Sequence, residues 1–216
     1  MLRIAAPAAA AAAAIAALTS ACTAGPPAHA TARGTQSASP AASHFGAQLQ
    51  GSGSLADILK RPPHFPVLRP GQACPATHGT PITTADFGGI ALGNGPIRPI
   101  IAQQPPDVAR LGVAYLAPTS APPWLAIKTL WFSVPAYRGP FVIRAKRLDR
   151  PGPIDLGGQP TTAPIAVPAG PAISTFSGWR TVPGGTWVKS PGCYAWQVDG
   201  ATFREEIIVQ AILRSP

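Results

Sequence analysis

The chain has 216 residues, with 17 Lys and Arg against 8 Asp and Glu, for a formal charge of +9; that length suits one domain of ordinary size or two small ones. Charged residues are only 12% of it, while 28 prolines and 22 glycines make up nearly a quarter, close to the range of disordered or loop-rich chains. A mostly helical protein is excluded, because proline removes a backbone donor and glycine costs backbone entropy.

In chain order, Met1 to Ala30 comes first: one cation, Arg3, then an Ala-rich apolar run from Ile4 to Leu18 interrupted by Pro7. A basic start, a short apolar stretch and small residues near a cut describe a secretory signal, and the run is short of the roughly 20 residues a membrane span needs. Two processing sites compete. Leu18-Thr19-Ser20-Ala21-Cys22 resembles the bacterial lipobox, with its Leu one position early; Cys22 is then the lipidated residue and 1–21 a lipoprotein signal peptide. Ala28-His29-Ala30 is an A-x-A site for ordinary signal peptidase, which would yield a secreted protein instead. A diacylglyceryl group on Cys22 supplies the two chains that stable anchoring requires.

Either cut leaves two cysteines, Cys74 and Cys193, in an exported chain, and outside the reducing cytosol the simplest expectation is a disulfide. The competing reading is a reactive thiol, with His78 four residues after Cys74 as its base. No C-x-x-C or H-x-x-x-H spacing suggests zinc, so neither a metal nor a cofactor is expected.

Residues 22–63 are rich in Ala, Ser, Gly, Thr and Gln and hold only Arg33, Asp57, Lys60 and Arg61 as charges. Such a stretch buries too little apolar surface to offset its ordering entropy and reads as a disordered tether. Leu55 to Leu59 could form a turn or two of helix. From His64 to Pro216 the composition changes, and all five Trp and all three Tyr lie between Tyr115 and Trp196, which places the core there.

Pro105 to Leu116 is the one candidate helix, although Val113 to Leu116 suits a strand equally. Trp124 to Val134 is rich in aromatic and β-branched residues and reads as a strand. Phe141 to Leu148 follows a turn at Pro135–Pro140, and its alternation sets Val142, Arg144 and Lys146 against Phe141, Ile143 and Ala145. Pro151 to Pro171 reads as loop with one short edge strand. Pro183-Gly184-Gly185 reads as a turn between two short strands. Cys193 to Val198 and Thr202 to Leu213 flank Asp199-Gly200, a strong hairpin signal, with Phe203, Glu205, Ile207 and Val209 on one face.

The segment Ser190-Pro191-Gly192-Cys193-Tyr194-Ala195-Trp196-Gln197-Val198-Asp199-Gly200 resembles the last hairpin of immunoglobulin-like sandwiches in bacterial envelope proteins. Together with the lipobox, the Leu92–Pro96 turn and the Tyr137–Pro140 turn, it is similar to exported lipoproteins of high-GC bacteria, over about residues 74–211. The resemblance implies an all-β, antiparallel immunoglobulin-like β-sandwich over 64–216, but no activity. Cys74 lies too early for the usual bridge between two sheets around a core Trp.

No G-x-S-x-G, P-loop, H-E-x-x-H, S-x-x-K or Rossmann glycine pattern occurs, so no catalytic residue is assigned. Gly93-Asn94-Gly95 lacks a strand-then-helix setting and reads as a turn. Glu205 and Glu206 point to opposite faces of a strand, and Asp149 and Asp155 sit beside Arg147 and Arg150. The basic group Arg144, Lys146, Arg147 and Arg150 is a candidate site for anionic wall polymers or lipid headgroups, or a solubilising face. The five Trp could stack on sugars or fill the core; nucleic acid is not expected. The chain therefore reads as a lipid-anchored envelope protein on the outer face of the cytoplasmic membrane, binding or structural in role, with the membrane and an anionic wall polymer or envelope protein as the expected partners. The alternatives are a secreted carbohydrate- or wall-polymer-binding module and, further off, a thiol-dependent enzyme.

Overall fold

The computed structural model describes residues 53–84, 87–102, 104–171, 175–176 and 178–214. The expected signal peptide, Cys22, the Ala28–Ala30 site and most of the expected tether lie outside the described residues. Among the described residues there are twelve strands and two short helices.

Hydrogen bonding runs through two layers. One has the order β1 (Gly79–Thr83), β2 (Gly88–Leu92), β3 (Ile97–Ile101), β5 (Leu125–Ser133) and β10 (Trp179–Val188), with β7 (Ile154–Gly157) and β9 (Thr175–Phe176) pairing the far side of β10. The other has the order β8 (Ile165–Val167), β6 (Phe141–Arg147), β11 (Gly192–Gly200), β12 (Arg204–Leu213) and β4 (Val113–Pro118). β4 links the layers: residues 113–116 run parallel to β12, whereas Ala117 and Pro118 pair antiparallel with β5. That parallel pair makes the sheet mixed, and every other ladder is antiparallel.

The core lies between the layers because alternate residues of each strand point inward. Trp131 of β5 meets Trp196 of β11 edge-on, with ring centres 5.4 Å apart, and the Trp196 indole donates to Thr186 Oγ1 of β10 at 2.8 Å. Ile127, Ile143, Tyr194, Val198, Ile207 and Val209 join them, all inaccessible to solvent. The alternation expected for 141–148 and 203–210 is therefore the alternation observed.

Several local expectations are corrected. Pro183-Gly184-Gly185 is no turn but the middle of a ten-residue strand, in register with Leu130, Thr129 and Lys128 of β5. Residues 181–184 have β5 on one side and, among the described residues, no ladder on the other, which is where a strand tolerates a missing proline N–H. Asp199-Gly200 is likewise strand, with Asp199 opposite Arg204, and the hairpin turns at 201–203. The Pro151–Pro171 connection holds two strands, β7 and β8, instead of one. The segment from Pro105 resolves into helix α2 (Pro106–Arg110) followed by β4, so both readings apply in sequence. Strands β1, β2 and β3 were hidden in the sequence by Pro81, Gly88-Gly89 and Pro99; among the described residues β1 pairs with β2 alone, an edge where proline is tolerated.

The body begins before residue 64. Ser54 caps helix α1 (Leu55–Lys60) by accepting from the Asp57 N–H, and Ile58 is completely buried. From α1 the chain runs as a strap over the outer face of β11. Arg61 donates to the carbonyls of Gly200 and Ala201 at 2.7 and 3.0 Å, the His64 N–H donates to Gln197 Oε1, and the Thr77 N–H donates to the Ile208 carbonyl. Cys74 and Cys193 form a disulfide with Cα atoms 5.5 Å apart. Cys193 shares its face with Gln197 and Asp199, away from Tyr194 and Trp196, so the bridge fastens the strap to the outside of one layer and does not cross the core.

Candidate functional site

The basic group of β6 is divided among separate partners. Arg144 and Lys146 stand on the outer face and Arg147 at the inner end. Arg144 forms an ion pair with Asp199, whose carboxylate is fully buried and also accepts from Arg204 Nε at 2.9 Å and Gln197 Nε2 at 2.6 Å. The other arm of Arg144 donates to the carbonyls of Ile58 and Leu59 at 3.0 and 3.1 Å, at the end of α1. Arg204 reaches the Pro62 carbonyl, and His64 Nδ1 contacts Glu206 Oε1 at 2.7 Å on the exposed side of the strap. One buried carboxylate thus organises two guanidinium groups, which in turn hold the strap backbone. Lys146 lies over the Phe65 ring, 5.9 Å from its centre.

Arg147 is buried and makes a two-pronged pair with Asp149 at 2.8 and 3.1 Å, while donating to Ser190 Oγ and the Pro191 carbonyl, each at 2.7 Å. The Asp149 hydrogen bond raises the Arg147 pKa, outweighing burial. Burial would raise that of Asp149, but the guanidinium beside it holds the carboxyl below its ordinary range. Arg150, exposed, donates to the same Ser190 hydroxyl at 3.3 Å. The four cations therefore do not converge on one open site: Arg144 and Arg147 are occupied by internal carboxylates and carbonyls.

Gly93-Asn94-Gly95 does cradle an anion, one supplied by the chain. Glu205 Oε1 accepts from the Asn94 N–H at 2.7 Å and the Gly95 N–H at 2.9 Å. Gly93 has φ +81°, and a Cβ on Gly95 would fall 2.0 Å from Glu205 Oε2. Glu205 Oε2 is buried without a partner, and burial raises the pKa of this carboxyl above its ordinary value. The carboxylate ties the β2–β3 turn to β12 across the core.

Neither cysteine is available as a thiol while the disulfide is formed, and His78, four positions after Cys74, is exposed. Among the described residues no three His, Cys, Asp or Glu side chains gather as a metal site.

The tryptophans divide by strand parity. Trp131 and Trp196 are core, and Trp179 packs on Phe87 and Phe132. Trp124 and Trp187 lie at the other end of β5 and β10. Trp187 is in register with Ala126, and Gly185 with Lys128. Gly185 leaves room for the Trp187 indole to lie back along the sheet and donate to the Gly157 carbonyl at 2.9 Å; a Cβ on Gly185 would approach its Nε1 to 3.3 Å. Beyond the strand ends Lys189 Nζ sits 5.0 Å over the Trp124 ring. A cleft of about 510 Å³, walled by Pro118, Thr119 and Ser120, opens over Lys128, Gly185 and Trp187. Lys128 and Lys189, both exposed, attract no notice as a pair in the sequence, 61 positions apart by their numbers. The signal was their parity with Trp124 and Trp187 in Trp124-Leu125-Ala126-Ile127-Lys128 and Trp187-Val188-Lys189. Comparison with protein-family models, curated proteins and solved structures finds no match to this chain.

Proposed function

We propose that this chain is exported, is held at the outer face of the cytoplasmic membrane by lipid on Cys22, and acts through an immunoglobulin-like β-sandwich body as a non-catalytic binding module of the envelope. The observation that carries the reading is the Cys74–Cys193 disulfide: such a bridge persists in oxidising compartments and is rare where glutathione keeps thiols reduced. The lipobox-like Leu18–Cys22 segment adds the address, and two face-to-face layers sharing a tryptophan core suit the immunoglobulin-like reading. Metabolic labelling with an alkyne fatty acid tests it. Label on the wild-type membrane fraction, absent from Cys22→Ala, is expected; unlabelled protein released to the medium overturns the anchor and favours cleavage after Ala30.

A second reading shares this body: a secreted module that binds carbohydrate or anionic wall polymer. The row of Trp124, Trp187, Lys128 and Lys189 favours it, with β5 and β10 in place of β6 as the carrier of the site.

A further inference from the structure

We propose that the outer face of the β5–β10 ladder, from the Trp124/Lys189 rim to Lys128, binds an anionic polysaccharide strand. This rests on the binding-module reading above and assigns that module a site and a ligand chemistry. Residues 124, 126 and 128 share one parity, as do 185, 187 and 189, and the register sets Ala126 beside Trp187 and Lys128 beside Gly185. On a pleated strand every second residue faces the same way, about 7 Å apart. The face thus presents, in order, the half-buried Trp124 indole under the Lys189 ammonium, the Trp187 indole, only 9% exposed and lying back over Gly185, and the exposed Lys128 ammonium. The repeat is on the scale of a sugar unit.

The chemistry of the row suits a chain of rings bearing negative charge. The Trp124 indole at the rim offers apolar surface to the C–H side of a sugar ring, and the exposed Lys128 and Lys189 are compact point charges for carboxylate or phosphate. Gly185, whose space the Trp187 indole takes, and Gly157 face each other across the ladder beside the cleft. A Cβ on neighbouring Gly158 would meet nothing within 4 Å. The cleft volume of about 510 Å³ lies within the ordinary range for ligand sites. The acid on this face is Asp155, in register with Trp187, where it can accept from sugar hydroxyls. The two lysines hold no ion pair with the described carboxylates, whereas Arg144 and Arg147 are committed internally. The row lies on the outer face of the β5–β10 layer, whereas the strap lies on the outer face of β11 in the other layer, so the strap does not obstruct it.

Affinity electrophoresis of the full chain tests this, in gels containing polygalacturonate (carboxylate), poly(glycerol phosphate) (phosphate) or neutral dextran. Retardation by one or both polyanions and not by dextran is expected, and the stronger of the two identifies the acidic group. Lys128→Glu with Lys189→Glu should weaken retardation about tenfold, and Trp124→Ala about fivefold, a difference of about 1 kcal/mol. Lys60→Glu with Arg69→Glu, an equal change of charge at exposed positions outside the row, should change it less than twofold. Circular dichroism and tryptophan emission confirm folding; Trp124 stands at the rim, so its replacement leaves the core intact. Equal mobility in all three gels, equal losses in the two charge-reversed pairs, no effect of Trp124→Ala, or equally strong retardation by single-stranded DNA would each overturn the proposal. None of these outcomes depends on whether Cys22 carries lipid.

Discussion

Asp199→Ala probes the clasp that holds the strap to the body. The wild-type carboxylate is inaccessible to solvent and lies between Arg144, 12% exposed, and Arg204, 38% exposed. Removing it leaves one guanidinium nearly buried with no counter-charge, a second beside it, and Gln197 Nε2 without its acceptor. Breaking a buried ion pair from one side costs about 3–5 kcal/mol, because the surviving charge stays desolvated; Arg204 adds little, since exposed pairs are worth under about 1 kcal/mol. A loss of about 3–5 kcal/mol is a large share of a typical net stability of about 5–15 kcal/mol. It should lower the urea midpoint at an unchanged m-value and the Tm by roughly 6–20 °C. Limited trypsin digestion adds a local readout, because the Lys60–Arg61 bond lies in the strap: it should be resistant in the wild type and cut early in Asp199→Ala. Arg61→Ala, which loses only the contacts to Gly200 and Ala201, should expose that bond while moving the global midpoint by about 1–2 kcal/mol. A Tm within 2 °C of wild type together with an unchanged digestion pattern would refute the reasoning.

Replacing both bridging cysteines by Ser opens a loop spanning 119 positions, which on the chain-entropy account removes about 5 kcal/mol from the stability measured in urea. Glu205→Gln should alter the pH profile: burial raises the folded pKa of this carboxyl, so its stabilising contribution is full below the unfolded value, ordinarily near 4.5, and is lost as pH rises through the folded value. The Gln variant, still able to accept from Asn94 and Gly95, should gain Tm over wild type at neutral pH and converge on it below pH about 4; a variant less stable than wild type at every pH would show the anionic form to be favourable. Asp149→Asn carries the opposite sign. Its folded pKa is lowered, so the wild-type advantage should be present above the unfolded value, near 3.8, and vanish as acid titrates the folded carboxyl. Gly93→Ala places a Cβ 2.4 Å from Glu205 Oε1 in a left-handed backbone and should cost about 1–3 kcal/mol by urea titration, whereas Gly158→Ala, facing open space, should stay within about 1 kcal/mol.

Much of the second half of the fold was legible because consecutive residues alternate. The patterns in 141–147 and 204–210 each separate the faces as observed, and burying one face leaves a strand no freedom to slip by one residue. The first three strands were not legible, because Gly79-Thr80-Pro81 and Gly88-Gly89 read as punctuation when edge position and neighbouring strands are unknown. Asp199-Gly200 misled for a related reason: Asp-Gly favours a turn, but a buried carboxylate between two arginines outweighs a local preference worth about 1 kcal/mol. The expected basic group is divided by partner choice. Four cations within seven positions look like one patch, yet Arg144 answers to Asp199 and the end of α1, and Arg147 to Asp149, Ser190 and Pro191.

By itself the amino-acid order determined that the body is built of strands, which side chains face inward along the later ones, and which two sulfurs pair. The first two are properties of neighbouring residues, and the third follows from the expected processing at or after Cys22, which leaves Cys74 and Cys193 of the three cysteines. The tertiary structure alone decided that residues 54–77 lie as a strap on β11, that the glycine loop holds Glu205, and that two lysines and two tryptophans from separate strands form one row. Each depends on groups brought together from distant parts of the chain, where ladder register and desolvation, and not local preference, set who meets whom.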